Sequence, residues 1–190
     1  KFRMGSAKIE KILLDVPYYS QHLDVEDEYW QWRACGITCL KMAMDYYKKN
    51  KEPLMDLIKE GVNAGGYCEA GWIHDTLLSL ARKRGFEASR KEYKSQDPKN
   101  QEKLIKLAIK EKIKSLKNKQ PVVVSAIRKF QEEKNFHMVI LTGFEKRGRK
   151  LLGFYYHDPD AFERSEGTHK FVPIETFKKY WRKMSIYVRI

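Results

Sequence analysis

Hydropathy along the chain gives a helical first half and a strand-rich second half. Residues 12–16 are an apolar run closed by Pro17, which predicts an edge strand leading into an extended segment, because proline removes a ladder donor. Residues 22–28 are acidic and without period, a loop. From Gly36 on, Ile37, Leu40, Ala43, Met44 and Tyr47 recur at helical spacing with polar Lys41 and Asp45 between them. That spacing predicts an amphipathic helix with one buried stripe. After Asn50, the Pro53-Leu54 pair starts a second helix that ends around Gly61 to Gly66. A third covers 72–84, presents Ile73, Leu77, Leu78, Leu80 and Ala81, and is capped by Gly85.

Residues 86–90 predict a short strand, and 98–119 a lysine-rich helix with Leu104, Leu107, Ala108, Lys112 and Leu116 loosely along one face. The β-branched run in 120–127 predicts a buried strand, followed by strands at 137–144 and 151–158. A loop to Lys170, an aromatic and basic helix at 173–183 and a closing strand at 185–190 complete the chain. Between the two middle strands lies a polar turn, Glu145-Lys146-Arg147-Gly148-Arg149-Lys150. With Arg147 and Gly148 as a tight two-residue loop, His137 faces Asp158, their Cβ atoms about 5 Å apart on one face of the sheet. A bulge or a longer turn moves the pair by a residue or two.

The helix that begins near Cys35 changes the picture from fold to chemistry. A helix start offers unpaired amides and the positive end of the dipole, which favours thiolate over thiol. The functional reading is a cysteine nucleophile; the plain one is a small apolar residue. Gly36 lets a substrate backbone come close, and the turn ending in Gly71 lets backbone approach a ligand. Trp72, with Trp30, Trp32 and Trp181, lines a groove or fills the core. Among the other histidines, His157 points to the face opposite Asp158 and reads as structural or exposed, and His22 and His169 as solvated. His74, Cys68 and Cys39 fit no usual zinc spacing, so no metal is expected.

Length, composition and charge narrow the classes. A chain of 190 residues with 42% hydrophobic content suits one domain over 8–190, with 1–7 an appended or disordered start. No apolar run approaches a membrane span, so no transmembrane segment is expected. No signal peptide is visible in the chain, and the compartment stays open, as does the oligomeric state. The net charge of +13 raises anionic partners, but the lysines are spread over several segments without an RNA-binding or recognition-helix pattern. Solvated faces are favoured over a specific nucleic-acid groove. Cys39 and Cys68 are a possible pair that sequence leaves undecided.

Several stretches together resemble a known family: Val16-Pro17-Tyr18-Tyr19-Ser20-Gln21; Ala34-Cys35-Gly36 opening a helix with Met42 and Tyr46-Tyr47; and Gly71-Trp72 before a helix. Gln120-Pro121-Val122-Val123-Val124, His137 leading Val139-Ile140-Leu141-Thr142-Gly143, and Asp158-Pro159 complete them. From about Leu14 to Pro159 the chain resembles the peptidase family C39-like proteins of the papain-like superfamily. The resemblance implies an α+β fold, an N-terminal helical layer packed on a C-terminal antiparallel sheet, and a cysteine peptidase acting on a peptide or protein through a thioester, with no cofactor. It makes Cys35 the nucleophile, His137 the general base and acid, Asp158 the residue that orients it and Gln21 the oxyanion donor, with Gln31 the competitor. Ile37-Thr38 depart from the small or proline residues often found there, and the acidic loop before Cys35 is long. A catalytically silent peptide-binding or partner-binding domain and an acyltransferase with the same triad are the alternatives.

Overall fold

The computed structural model describes residues 8–48 and 52–190; the expected appended start, 1–7, and Asn50 lie outside them. The chain opens with β1 (Ile9–Leu13) and a short helix α1 (Glu28–Gln31), which Asp27 caps by accepting from the Tyr29 and Trp30 amides. There follow α2 (Cys35–Tyr47), α3 (Leu54–Asn63), a two-stranded hairpin of β2 (Tyr67–Cys68) and β3 (Gly71–Trp72), α4 (His74–Lys83) and β4 (Glu87–Glu92). The second half runs α5 (Pro98–Lys117), β5 (Val122–Ile127), β6 (Phe136–Arg147), β7 (Lys150–His157), α6 (Arg164–Gly167), β8 (Lys170–Pro173), α7 (Ile174–Tyr180) and β9 (Trp181–Arg189). A single 3-10 turn at Arg128–Phe130 joins β5 to the loop before β6.

Among the described residues the main sheet has seven strands, in the order β4-β9-β5-β6-β7-β8, with β1 also paired to β6. Every pairing in it is antiparallel. The long β6 allows this arrangement: Phe136 to Leu141 pair with β5, and Gly143 to Arg147 with β1. Helices α2, α3 and α4 pack on one another, and α2 lies on β5, β6 and β9. The α+β class expected from the sequence is the fold observed, a helical layer on an antiparallel sheet to which the first half also lends β1 and β4.

Three expectations need correction. Helix α2 is buried on all sides from Gly36 to Asp45, not along one stripe. Lys41 and Asp45 are covered as a pair: Lys41 Nζ lies 2.8 Å from Asp45 Oδ2, which also accepts from Tyr19 Oη at 2.8 Å. In α5, Leu107 is exposed, whereas Lys112 is fully buried. The helix expected at 173–183 stops at Tyr180, and Trp181 opens β9. Trp181 pairs with Ala126 while Met184 pairs with Ser125, so Arg182 and Lys183 form a bulge that carries the aromatic-basic pattern into a strand.

The hairpin register also differs. Arg147 faces Lys150, so Gly148 and Arg149 make the turn, with Gly148 at φ +58°. Shifts at Leu141/Gly143 and Glu145/Lys146 set His157 opposite Ile140, and β7 ends there. Asp158 therefore has no position on the ladder opposite His137. It meets His137 by another route.

Candidate active site

Cys35 is the first residue of α2. Its N-cap, Ala34, supplies no side-chain bond, so the dipole end faces the thiol without a competing cap. The approach to the helix is held by Trp72, whose Nε1 donates to the Arg33 carbonyl at 2.8 Å. His137 is the second residue of β6, and its Nε2 lies 2.7 Å from Asp158 Oδ1. The ring thus has Nδ1 left for an interaction with the Cys35 thiol. Both His137 and Asp158 are buried.

Asp158 reaches His137 because the chain just past β7 is pinned. Its amide donates to the Gly167 carbonyl at 2.8 Å, and Tyr18 Oη donates to its carbonyl at 2.9 Å. Gly167 must be glycine for this, since a Cβ there would lie 1.9 Å from Tyr18 Oη. The same carboxylate oxygen that meets His137 accepts from the Asp160 amide at 3.0 Å.

The electrostatics follow from these contacts. Burial opposes ionisation of Cys35, but the hydrogen bond and charge of His137, with the Met138 and Gly36 backbone, outweigh it and hold the thiol below its ordinary range. Burial likewise opposes protonation of His137, yet its bonds to Asp158 and Cys35 push it up to about 10. Thiolate and imidazolium therefore stabilise each other. Cys39, one helical turn on, is driven the other way by burial and by the nearby Cys35 and Asp158 charges, and it donates to the Met138 carbonyl at 3.3 Å. All three cysteines are free thiols, Cys68 on the exposed hairpin.

Cys35 and His137 open into a cleft of about 610 Å³ that Gln21, Gly71 and Trp72 also line. The Gln21 side chain is held by donating to the Gln31 carbonyl at 2.8 Å, while its buried Oε1 has no partner among the described residues. Gln31 does not line the cleft, and its own amide is engaged with the Val25 carbonyl at 2.8 Å. Gly36 does not line the cleft; a Cβ there would meet Met138 Sδ at 3.0 Å and Trp72 Cδ1 at 3.4 Å. Its smallness serves the contact between helix, sheet and Trp72. Of the other tryptophans, Trp32 is exposed on the cleft wall, Trp181 is in the core, and Trp30 packs against Tyr67 and Trp72.

His22 is not solvated. It is buried, bonded through Nε2 to Asp160 Oδ1 at 2.7 Å and stacked on Phe162. Asp160 is held also by Arg128 at 2.5 Å; burial opposes its ionisation, but these two partners lower it. This clamp on the Asp158 loop was missed from the sequence, where the adjacency of Asp158-Pro159-Asp160 was its one trace. His157 is structural, bonded to the Val16 carbonyl and accepting from the His169 amide, each at 2.9 Å. His169 is half-buried, not solvated, with Nδ1 3.1 Å from Thr142 Oγ1. Among the described residues no group of three or more His, Cys, Asp or Glu could hold a metal ion, and no helix is long and apolar enough to cross a membrane.

A helical layer against an antiparallel sheet, with a thiol at a helix start meeting an imidazole on a strand, is the α+β papain-like arrangement. The chain belongs to the Peptidase_C39 like family, whose model matches residues 13–188. Among solved structures it is similar to one described as a C39-like peptidase from Bacillus anthracis, at 23% identity and TM-score 0.64, over 95% of this chain and 98% of that one. It is similar to a double glycine motif protease from an AMS/PCAT transporter, solved with its leader peptide, at 19% identity and TM-score 0.50, over 98% and 95% of the two chains. The peptidase domain of Streptococcus ComA, a bifunctional ABC transporter, matches at 16% identity and TM-score 0.54, over 83% and 92%. No curated protein matches the chain by sequence. Family and fold support a peptidase-type function.

Proposed function

We propose that this chain is a cysteine peptidase, acting as one domain over 8–190, in which Cys35 is the nucleophile, His137 the acid and base, and Asp158 the group that orients His137. The observation that carries the reading is the placing of Cys35 and His137 together at the wall of an open cleft, with His137 held by Asp158 at 2.7 Å. A peptide would lie in that cleft, as a leader peptide is bound by the transporter protease to which the chain is similar.

The Cys35 thiolate attacks the scissile carbonyl and a C–S bond forms. The developing oxyanion is met by the Gln21 side-chain amide and the Cys35 backbone amide, both already fixed, so little reorganisation is needed. His137 then gives its proton to the leaving amine, the C–N bond breaks and a thioester remains. Water, deprotonated by the now neutral His137, hydrolyses the thioester and restores the thiolate-imidazolium pair. Asp158 holds the ring through Nε2 throughout.

The test is digestion of a mixed peptide library, with the intact protein mass followed at early times. The reading expects cleaved peptides and a mass adduct on Cys35, both absent in Cys35→Ala. Full turnover in Cys35→Ala would overturn it.

A further inference from the structure

The ionised groups on the cleft wall do not cancel. Apart from Cys35 and His137, the wall carries Arg33, Arg128, Lys134 and Arg182 against Glu69 and Asp160. Arg128 and Asp160 neutralise each other at 2.5 Å. Arg33, Lys134 and Arg182 remain, with Glu69 on the wall and Glu133 beside it shared with Arg128 at 3.6 Å; none of Arg33, Lys134, Arg182 and Glu69 has an ion-pair partner among the described residues.

Two of the cations are held in place without being neutralised. The Arg33 guanidinium lies 3.9 Å from the centre of the exposed Tyr29 ring and donates one bond to the Tyr29 carbonyl at 2.9 Å. The Arg182 guanidinium lies 3.4 Å from the centre of the exposed Phe136 ring and donates one bond to Ser125 Oγ at 3.1 Å. Each is a flat fork, stacked on an aromatic face, with four of its five N–H donors still available. Glu92, the carboxylate whose charge Arg182 feels, is already engaged by Arg90 and Lys94.

We propose that the cleft selects acidic peptides, with Arg33 on the helical wall and Arg182 on the sheet wall each taking a substrate carboxylate. The proposal rests on the peptidase reading above and names its substrate class. Arg33 is two residues before Cys35. Arg182 stands on β9, two strands from the strand of His137 and thus about 10 Å away; its contact with Phe136 brings the guanidinium back toward that strand. At about 3.3 Å per extended residue, the carboxylates read by this site lie within about three residues of the bond cut. Half-burial and a stacked ring reduce the solvent and the side-chain freedom that weaken an exposed ion pair.

The test uses a fluorescein-labelled peptide with glutamate on both sides of a central Gly-Ala, with its glutamine and lysine twins, and anisotropy on Cys35→Ala so that nothing is cut. The glutamate peptide is expected to bind about tenfold more tightly than the glutamine twin, the effect of one charge-assisted hydrogen bond. Arg182→Gln in the same background should remove about threefold of that preference, half of it in free energy, and Arg182→Lys restore part of it, with Arg33→Gln acting likewise and thermal melting confirming that each variant is folded. Equal affinity for the twins, no detectable binding of the glutamate peptide, or stronger displacement by a single-stranded oligonucleotide with steep salt dependence would overturn the proposal. Wild-type digestion of the same peptides decides the peptidase reading separately: cutting without regard to charge keeps the peptidase and ends the acidic preference, whereas an acidic preference in binding without cutting does the reverse.

Discussion

Two buried cationic side chains in this molecule have opposite fates. His137 lies between the Asp158 carboxylate and the Cys35 thiol and is pushed up to about 10. Lys112, in α5, is fully buried, and its Nζ has no hydrogen-bond partner among the described residues; it faces the Trp181 ring at 3.8 Å and the Tyr93 ring at 4.8 Å. Burial pulls it down to about 7 from 10.5, with the neighbouring Glu111 charge pulling the other way. Burial penalises both cations. Anions in direct contact reverse the penalty at the site, and ring faces do not cancel it in the core.

Removing an anion from the site should have the largest effect. Asp158→Ala leaves His137 buried with only Cys35 to favour its charged form, so its pKa should fall toward that of a group governed by burial. Turnover on a cleaved peptide should drop by about a thousandfold or more. An Asp158→Ala variant with near wild-type kcat would detach the carboxylate from the chemistry. Gln21→Ala should cost less, roughly a hundredfold in kcat with KM little changed, because it removes one oxyanion donor and leaves the ion pair intact. Loss in KM alone would make Gln21 a binding residue.

Lys112 answers in stability and not in turnover. A lysine whose folded pKa lies below its unfolded one binds fewer protons folded than unfolded between about 7 and 10.5. Stability should therefore rise with pH across that window, and the cost is fully present below it. Lys112→Met should raise stability near pH 6 by about 1–4 kcal/mol and flatten this dependence, read by urea unfolding. Destabilisation at pH 6 would show that the ring faces outweigh desolvation. The smallest effect should come from Tyr18→Phe, which removes one hydrogen bond to the Asp158 carbonyl and should lower stability by about 1 kcal/mol.

The same contrast explains what the sequence could and could not reveal. Lys112 fell on the apolar face of a helical pattern and was legible there, whereas Leu107 on the same face turned outward. Lys41 and Asp45 were read as the polar side of α2; periodicity registers polarity but not that two charges four residues apart can pair and be buried together. His137 and Asp158 were brought together by a hairpin whose register proved different, since the bulges of β6 cannot be read from alternation. What joins them is a loop pinned by Tyr18 and Gly167 and clamped by His22, Asp160 and Arg128, contacts between residues far apart in the chain. The bulged start of β9 was hidden by the aromatic residues that continue the helical pattern past Tyr180.

Cys35 and His137 are expected to exist as a thiolate-imidazolium pair. The direct measurement is the pH dependence of iodoacetamide labelling of each cysteine, by mass spectrometry, in the wild type and in His137→Ala. Cys35 should label selectively, below the pH range of an ordinary thiol, and its pH profile should change again near pH 10 as His137 loses its proton. In His137→Ala its labelling should move up to ordinary thiol pH or above, while Cys68 is unaffected. Labelling of Cys35 that starts only with that of Cys68, unchanged by the substitution, would contradict it.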